Sequence, residues 1–98
     1  MTIDKKTNGS FMSMEINGRL DSSTAPELES ALKESLGGIT ELVLDFKGLE
    51  YISSAGLRVL LTTQKTMNKQ GKMVIRNINE TIREVFELTG FSDILTVE

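Results

Sequence analysis

Cysteine and histidine are both absent from the 98-residue sequence, and with them go whole classes of chemistry. Without cysteine there is no disulfide, no thiolate nucleophile and no thiolate metal ligand. Without histidine there is no imidazole base and no His-ligated zinc or haem. A serine hydrolase would then need a desolvated lysine as its base, and nothing in the sequence around Lys47 or Lys72 marks either as one. The patterns G-x-x-x-x-G-K-[ST], G-x-G-x-x-G and G-x-S-x-G do not occur. No two aspartates adjoin at a predicted strand end, as the cation site of a magnesium-dependent phospho-aspartate receiver requires, so Asp45 is a poor candidate for that role. No catalytic residue, cofactor or metal is expected, and the chain does not read as an enzyme.

Two further shortages bear on partners. Eleven basic residues against fourteen acidic ones leave a charge of −3, and the basic ones are scattered, so no direct nucleic-acid surface is expected. Apolar runs reach only three residues, as in Leu42–Leu44, which is too short to span a membrane. No apolar stretch of signal-peptide type follows Met1, and a cytoplasmic location without membrane contact is the expectation.

What is present is ordinary for a globular fold: 39% hydrophobic and 26% charged residues. A chain of this length is expected to form one domain over residues 1–98, with five methionines filling its core. Met12, Met14 and Ile16 alternate with Ser13, Glu15 and Asn17, which predicts a half-buried strand over about 10–19. Asn8-Gly9 signals a hairpin back to a strand over about 2–7. Thr24 and Glu27 have capping-box spacing with Pro26 in the first turn, and Ala25, Leu28, Leu32 and Leu36 form a helical stripe that Gly37-Gly38 closes. Glu41–Phe46 reads as a strand buried on both faces, hence parallel to its neighbours. A loop then leads to a helix from Ser54 to Gly71 whose inner face carries Leu57, Leu60, Leu61, Gln64 and Met67. Met73–Arg76 is a further strand, and Asn79 caps a helix that turns Ile82, Val85, Phe86 and Thr89 inward. Gly90 ends it, and Phe91, Ile94, Leu95 and Val97 form a packed tail. The order β-β-α-β-α-β-α plus a tail predicts an α/β fold, a mixed four- to five-stranded sheet with helices packed on it.

The informative stretch is Asp45-Phe-Lys-Gly-Leu-Glu-Tyr-Ile-Ser-Ser-Ala-Gly-Leu57, where a strand gives way to a helix that begins at two serines. Free N–H groups at a helix start attract anions. Ser53 or Ser54 is therefore either a plain N-cap or a hydroxyl displayed where a phosphoester would be stabilised. Ala55 and Gly56 are small enough to admit a partner's backbone, and Arg58 and Val59 fall outside the Leu57 stripe, where they can border a contact. Asp21, in the earlier strand-to-helix loop, can cap its own helix or receive a partner's arginine.

Asp45, Phe46, Leu49, Tyr51, Ile52, Ser53, Ser54, Ala55, Gly56 and Leu57 resemble the signature of the STAS domain, and in particular of stand-alone bacterial anti-sigma factor antagonists. Gly18-Arg-Leu-Asp-Ser-Ser-Thr-Ala25 resembles the segment leading into that family's first helix, and Gly90-Phe91 with Asp93 and Ile94 its C-terminal end. The resemblance implies the STAS fold and a partner-switching role. Such a protein binds an anti-sigma factor that is often a serine-protein kinase, is inactivated by phosphorylation, and is reset by a PP2C-type phosphatase. It places the phosphoserine at Ser54, and Asp21, Ser22 and Ser23 in the adjoining loop. With Ser53, Ala55, Gly56 and Arg58, these are the expected partner-binding residues. Ser53 stands where the pattern usually has aspartate, so a fixed negative charge is missing and a second hydroxyl is offered. The competing expectation is an accessory STAS subunit of a lipid or small-molecule transport system.

Overall fold

The alternation of Met12, Met14 and Ile16 with Ser13 and Glu15 is realised as a ten-residue strand whose inner side chains are at most 1% exposed. The computed structural model describes residues 1–98. Strands β1 (Thr2–Asn8) and β2 (Phe11–Leu20) form a hairpin, followed by α1 (Ala25–Ser35), β3 (Glu41–Asp45) and β4 (Leu49–Ile52). Then come α2 (Ser54–Gln70), β5 (Lys72–Arg76), α3 (Glu80–Thr89) and a 3-10 turn at Phe91–Asp93. The sheet runs β1-β2-β3-β5, antiparallel at the hairpin and parallel elsewhere, with β4 paired parallel to the last residues of β2. The mixed five-stranded sheet and the three helices are as the sequence predicts.

One face of the sheet makes the core. Met12, Met14 and Ile16, Leu42 and Leu44, and Met73 and Ile75 meet Leu28, Leu32, Leu57, Leu60, Met67, Ile82 and Phe86 from the helices. Each such side chain contributes about 1.5–3 kcal/mol relative to staying exposed. The other face stays open: Val43 and Val74 are only half-buried and Glu15 is exposed. The expectation that Glu41–Phe46 is buried on both faces is thus wrong. Parallel pairing there comes from the crossover helices, all of which cover one side.

Other expectations also need correction. Residues 49–52 form a strand, not a loop, and this edge strand pairs with Gly18–Leu20 through a register shift that skips Glu50. Its burial pattern, with only Leu49 and Ile52 inside, has no period-two signal. In the hairpin Asn8 pairs with Phe11, so the turn is Gly9-Ser10, and only Gly9 takes positive φ. Thr89 and Ile94 are exposed: Thr89 returns its hydroxyl to the Val85 carbonyl, and Leu95 is the buried residue of the tail.

Candidate functional site

Two strand-to-helix turns stand side by side at the carboxyl ends of the parallel pair β2 and β4. A backbone bond joins them, with the Ser53 N–H donating to the Leu20 carbonyl at 2.8 Å. The first turn, Asp21–Thr24, opens α1, and the second, Ser53-Ser54, opens α2.

In the first turn the predicted capping box does not form. Thr24 has helical dihedrals and no side-chain bond to its helix. Its hydroxyl donates back to the Arg19 carbonyl at 2.8 Å and accepts from the Asp21 N–H at 2.9 Å. Asp21 closes the loop just ahead of the helix instead. Its Oδ1 accepts from the Ser23 N–H at 3.0 Å, the Ser23 hydroxyl at 2.7 Å and the Thr24 N–H at 3.2 Å. The Asp21 carbonyl accepts from the Ala25 N–H at 2.8 Å. Donation by the Ser23 hydroxyl, then by the Ser23 and Thr24 backbone amides, holds the carboxyl below its ordinary pKa. Asp21 therefore organises its own loop, with Oδ2 left 3.9 Å from Arg19 Nε of the same chain. Ser22 and Ser23 are exposed.

The second turn separates its two serines. Ser53 is extended (φ −99°, ψ 176°) and is the N-cap, its hydroxyl accepting from the Gly56 N–H at 3.4 Å. Ser54 is the first helical residue, is exposed, and its hydroxyl has no partner within the fold. The choice that the sequence leaves open is thereby resolved in geometry: one serine caps and the other is free. An added anion at Ser54 would meet the positive end of the 17-residue α2.

The remaining expected contact residues divide. Ser22, Ala25, Pro26, Ala55, Arg58 and Val59 line a shallow cleft of about 160 Å³ between the first turns of α1 and α2. Arg58 is exposed and Ala55 half-buried, whereas Val59 is only 6% exposed and belongs to the core. Gly56 is also buried. A Cβ there would come within 2.7 Å of Leu20 Cγ and 2.9 Å of Ile52 Cγ1, so this glycine lets α2 lie close on β2 and β4 and is not open to a partner's backbone.

Two residues escaped sequence reasoning. Arg19 and Tyr51 are partners across β2 and β4, and the guanidinium lies 4.3 Å from the ring centroid. Tyr51 is 37% exposed. Both lie within the segments that resemble the family, but their meeting follows from the unforeseen strand β4. No group of three or more acidic side chains is gathered that could hold a metal ion, and no helix is long and apolar enough to cross a membrane.

Comparison with known proteins gives a consistent result. The model of the family described as STAS domain matches residues 2–98. BtrV of Bordetella bronchiseptica, named as an anti-sigma factor antagonist, is 40% identical over 84 residues, covering 84% of this chain and 72% of its own. The anti-sigma-B factor antagonist of Staphylococcus aureus is 29% identical, covering 99% of this chain and 92% of its own. Among solved structures, an anti-sigma factor antagonist from Mycobacterium paratuberculosis superposes with a TM-score of 0.88 at 24% identity, covering 98% of this chain and 83% of that one.

Proposed function

The chain belongs to the STAS domain family, and from that premise we propose that it is an anti-sigma factor antagonist whose binding is switched by phosphorylation of Ser54. In this reading it binds an anti-sigma factor of the serine-kinase kind, that partner phosphorylates it, and a PP2C-type phosphatase restores it. It controls sigma-factor-dependent transcription without touching DNA. The observation that carries the reading is the division of labour at the start of α2. Ser53 holds the cap, so Ser54 is exposed, unbonded and not needed by the fold.

The energetics favour a switch over a lesion. A phosphoserine adds about −1.5 to −2 charges at neutral pH. The amino end of α2 favours that anion by roughly 0.3–1 kcal/mol, so the domain stays folded. The Asp21 carboxylate in the adjoining loop is already ionised, so the phosphate adds a second negative group beside the one that Arg19 accompanies. Pressing such a surface against a partner without a matching cation carries a large desolvation cost. A loss of affinity of at least ~100-fold, equivalent to about 2.8 kcal/mol, is expected. The names of the two curated relatives favour this reading over an accessory subunit of a lipid or small-molecule transport system, which would share the fold.

The test is a titration of wild type, Ser54→Ala, Ser54→Asp and the matching Ser53 variants against the organism's kinase-type anti-sigma factors. Mass spectrometry of the kinase-treated protein accompanies it. Ser54→Ala should bind and resist phosphorylation, while Ser54→Asp should fold normally and bind at least ~100-fold more weakly. Phosphate on Ser53, or equal affinity for Ser54→Asp and wild type, overturns the assignment. Failure of every form to bind such a partner turns the choice to the transport subunit.

A further inference from the structure

Ser53 and Ser54 hang from β4, an edge strand of four residues that pairs only with the end of β2. So short a strand has little to hold it in register by itself. On its other side lies the loop between β5 and α3, Asn77-Ile78-Asn79, and both asparagine side chains reach across to the segment that carries the serines. Asn77 Nδ2 donates to Asp45 Oδ1 at 3.0 Å, and the same oxygen accepts from the Lys47 N–H at 2.9 Å. Asn79 is bifunctional. Its Oδ1 caps α3 by accepting from the Ile82 N–H at 2.8 Å, while its Nδ2 donates to the Leu49 carbonyl at 3.1 Å. One bond thus grips the end of β3 and the other the first residue of β4. Ile78, between them, packs against the core.

Asn77 is the one non-glycine residue with positive φ, at 61°. Asparagine tolerates this conformation better than most residues, and here it brings the side-chain amide onto Asp45. Asp45, foremost residue of the signature stretch, is therefore explained by its place in the fold. It ties the β3–β4 turn to the β5–α3 loop.

We propose that Asn77 and Asn79 act as positioning residues, a two-point clamp that fixes β4 and so holds Ser53 in its cap and Ser54 at the mouth of α2. For the function this rests on the reading of Ser54 given above. Without the clamp the fold persists, but the Ser53–Gly56 turn opens more often, and the hydroxyl is presented to a kinase in the right place for less of the time.

Two variants separate this role from general stability. Asn77→Gly tolerates the positive φ and removes the side-chain amide, at the cost of a freer backbone. Asn79→Asp keeps an acceptor for the Ile82 N–H and a good cap for α3, but replaces the donor to Leu49 with an oxygen that the carbonyl repels. Amide hydrogen exchange on the isolated protein should show the Ser53, Gly56 and Leu57 amides exchanging roughly 10-fold faster in each variant. The Leu36 amide at the end of α1 and the Gly71 amide at the far end of α2, each bonded in its own helix, should keep their rates. Uniform acceleration at all of these sites, or none at Ser53, Gly56 and Leu57, overturns the clamp. The experiment needs no partner, so it stands apart from the kinase assay. If wild type is never phosphorylated at Ser54 while the local exchange changes as expected, the clamp stands and the proposed function falls. If wild type is phosphorylated and both variants match its kcat/KM, the clamp has no bearing on presentation of Ser54 and the inference is overturned.

Discussion

The two turns at the carboxyl ends of β2 and β4 are neighbours joined by a backbone bond, yet they are finished in opposite ways. The turn into α1 consumes most of its polar groups: the Asp21 carboxylate collects the Ser23 and Thr24 donors, the Thr24 hydroxyl closes back on Arg19, and the exposed Ser22 hydroxyl alone is left over, ahead of the helix rather than in it. The turn into α2 uses one serine and leaves the next one free. A loop whose carboxylate and hydroxyls are largely bonded to one another is held in one shape. A helix start with an unbonded hydroxyl is open to modification and to partners. The difference is one of spacing. Asp21 precedes its helix by enough residues to bond two successive amides, while Ser53 sits directly before α2 and reaches only one.

The largest effect should come from removing what both turns rest on. Leu20 is fully buried at the end of β2 and lies within reach of Gly56. Leu20→Ala should cost about 2–5 kcal/mol in urea denaturation, by loss of transfer energy and by the cavity left behind. Gly56→Ala comes next. Its methyl group would push on Leu20 and Ile52, and overpacking of this kind costs ~1–3 kcal/mol. The gain in helix propensity, about 1 kcal/mol, works against that cost, so a variant more stable than wild type by that amount would mean the close seat of α2 is wrong. The two serines sharpen the contrast further. Ser53→Ala should cost toward the lower end of the ~0.5–2 kcal/mol range for a lost cap, given the 3.4 Å bond. Ser54→Ala should change stability by no more than about 0.5 kcal/mol. A reversal of that order would exchange their roles.

The smallest effect is electrostatic and belongs to the first turn. The Asp21 carboxyl is held below its ordinary pKa chiefly by the Ser23 hydroxyl, so its ionised form favours the folded state. That contribution is complete above the unfolded value near pH 4 and disappears as pH falls through the lower folded value. Asp21→Asn should therefore be less stable than wild type at neutral pH, and the gap should close in acid melts. A gap that stays constant from pH 7 to pH 2 would mean that the carboxylate charge plays no part in holding the turn.

Local chemistry carried a large part of this protein. The alternation in β2, the Leu28/Leu32 and Leu57/Leu60 stripes and the Asn79 cap are written in short-range periodicity, and the structure keeps them. The serines at the start of α2 were legible for the same reason, because a helix start is a local event. What sequence reasoning missed depends on contacts between distant residues. β4 has no alternation of its own, since Glu50 is skipped in its pairing, and it is a strand because the end of β2, beyond the reach of β3, is there to pair with it. The Arg19–Tyr51 contact and the burial of Gly56 follow from that pairing.

Thr24 shows the limit most clearly. Its spacing to Glu27 fits a capping box, but its hydroxyl is drawn back to the Arg19 carbonyl and the Asp21 N–H, and its own N–H, which Glu27 would need, is held by the Asp21 carboxylate. The loop geometry places the Asp21 carboxylate within reach of the Ser23 and Thr24 amides, ahead of the first turn of α1. Val59 likewise reads as outward-facing along its own helix and is buried because α1 lies beside it. Short-range pattern was enough for the helices, for every strand but β4, for the inner face of β2 and for the pair of serines. Only the tertiary structure decided which serine caps and which is free, which small residue is sealed in, and what holds the edge strand beneath them. Those outcomes depend on which distant groups come within hydrogen-bonding distance, and spacing along a chain does not carry that information.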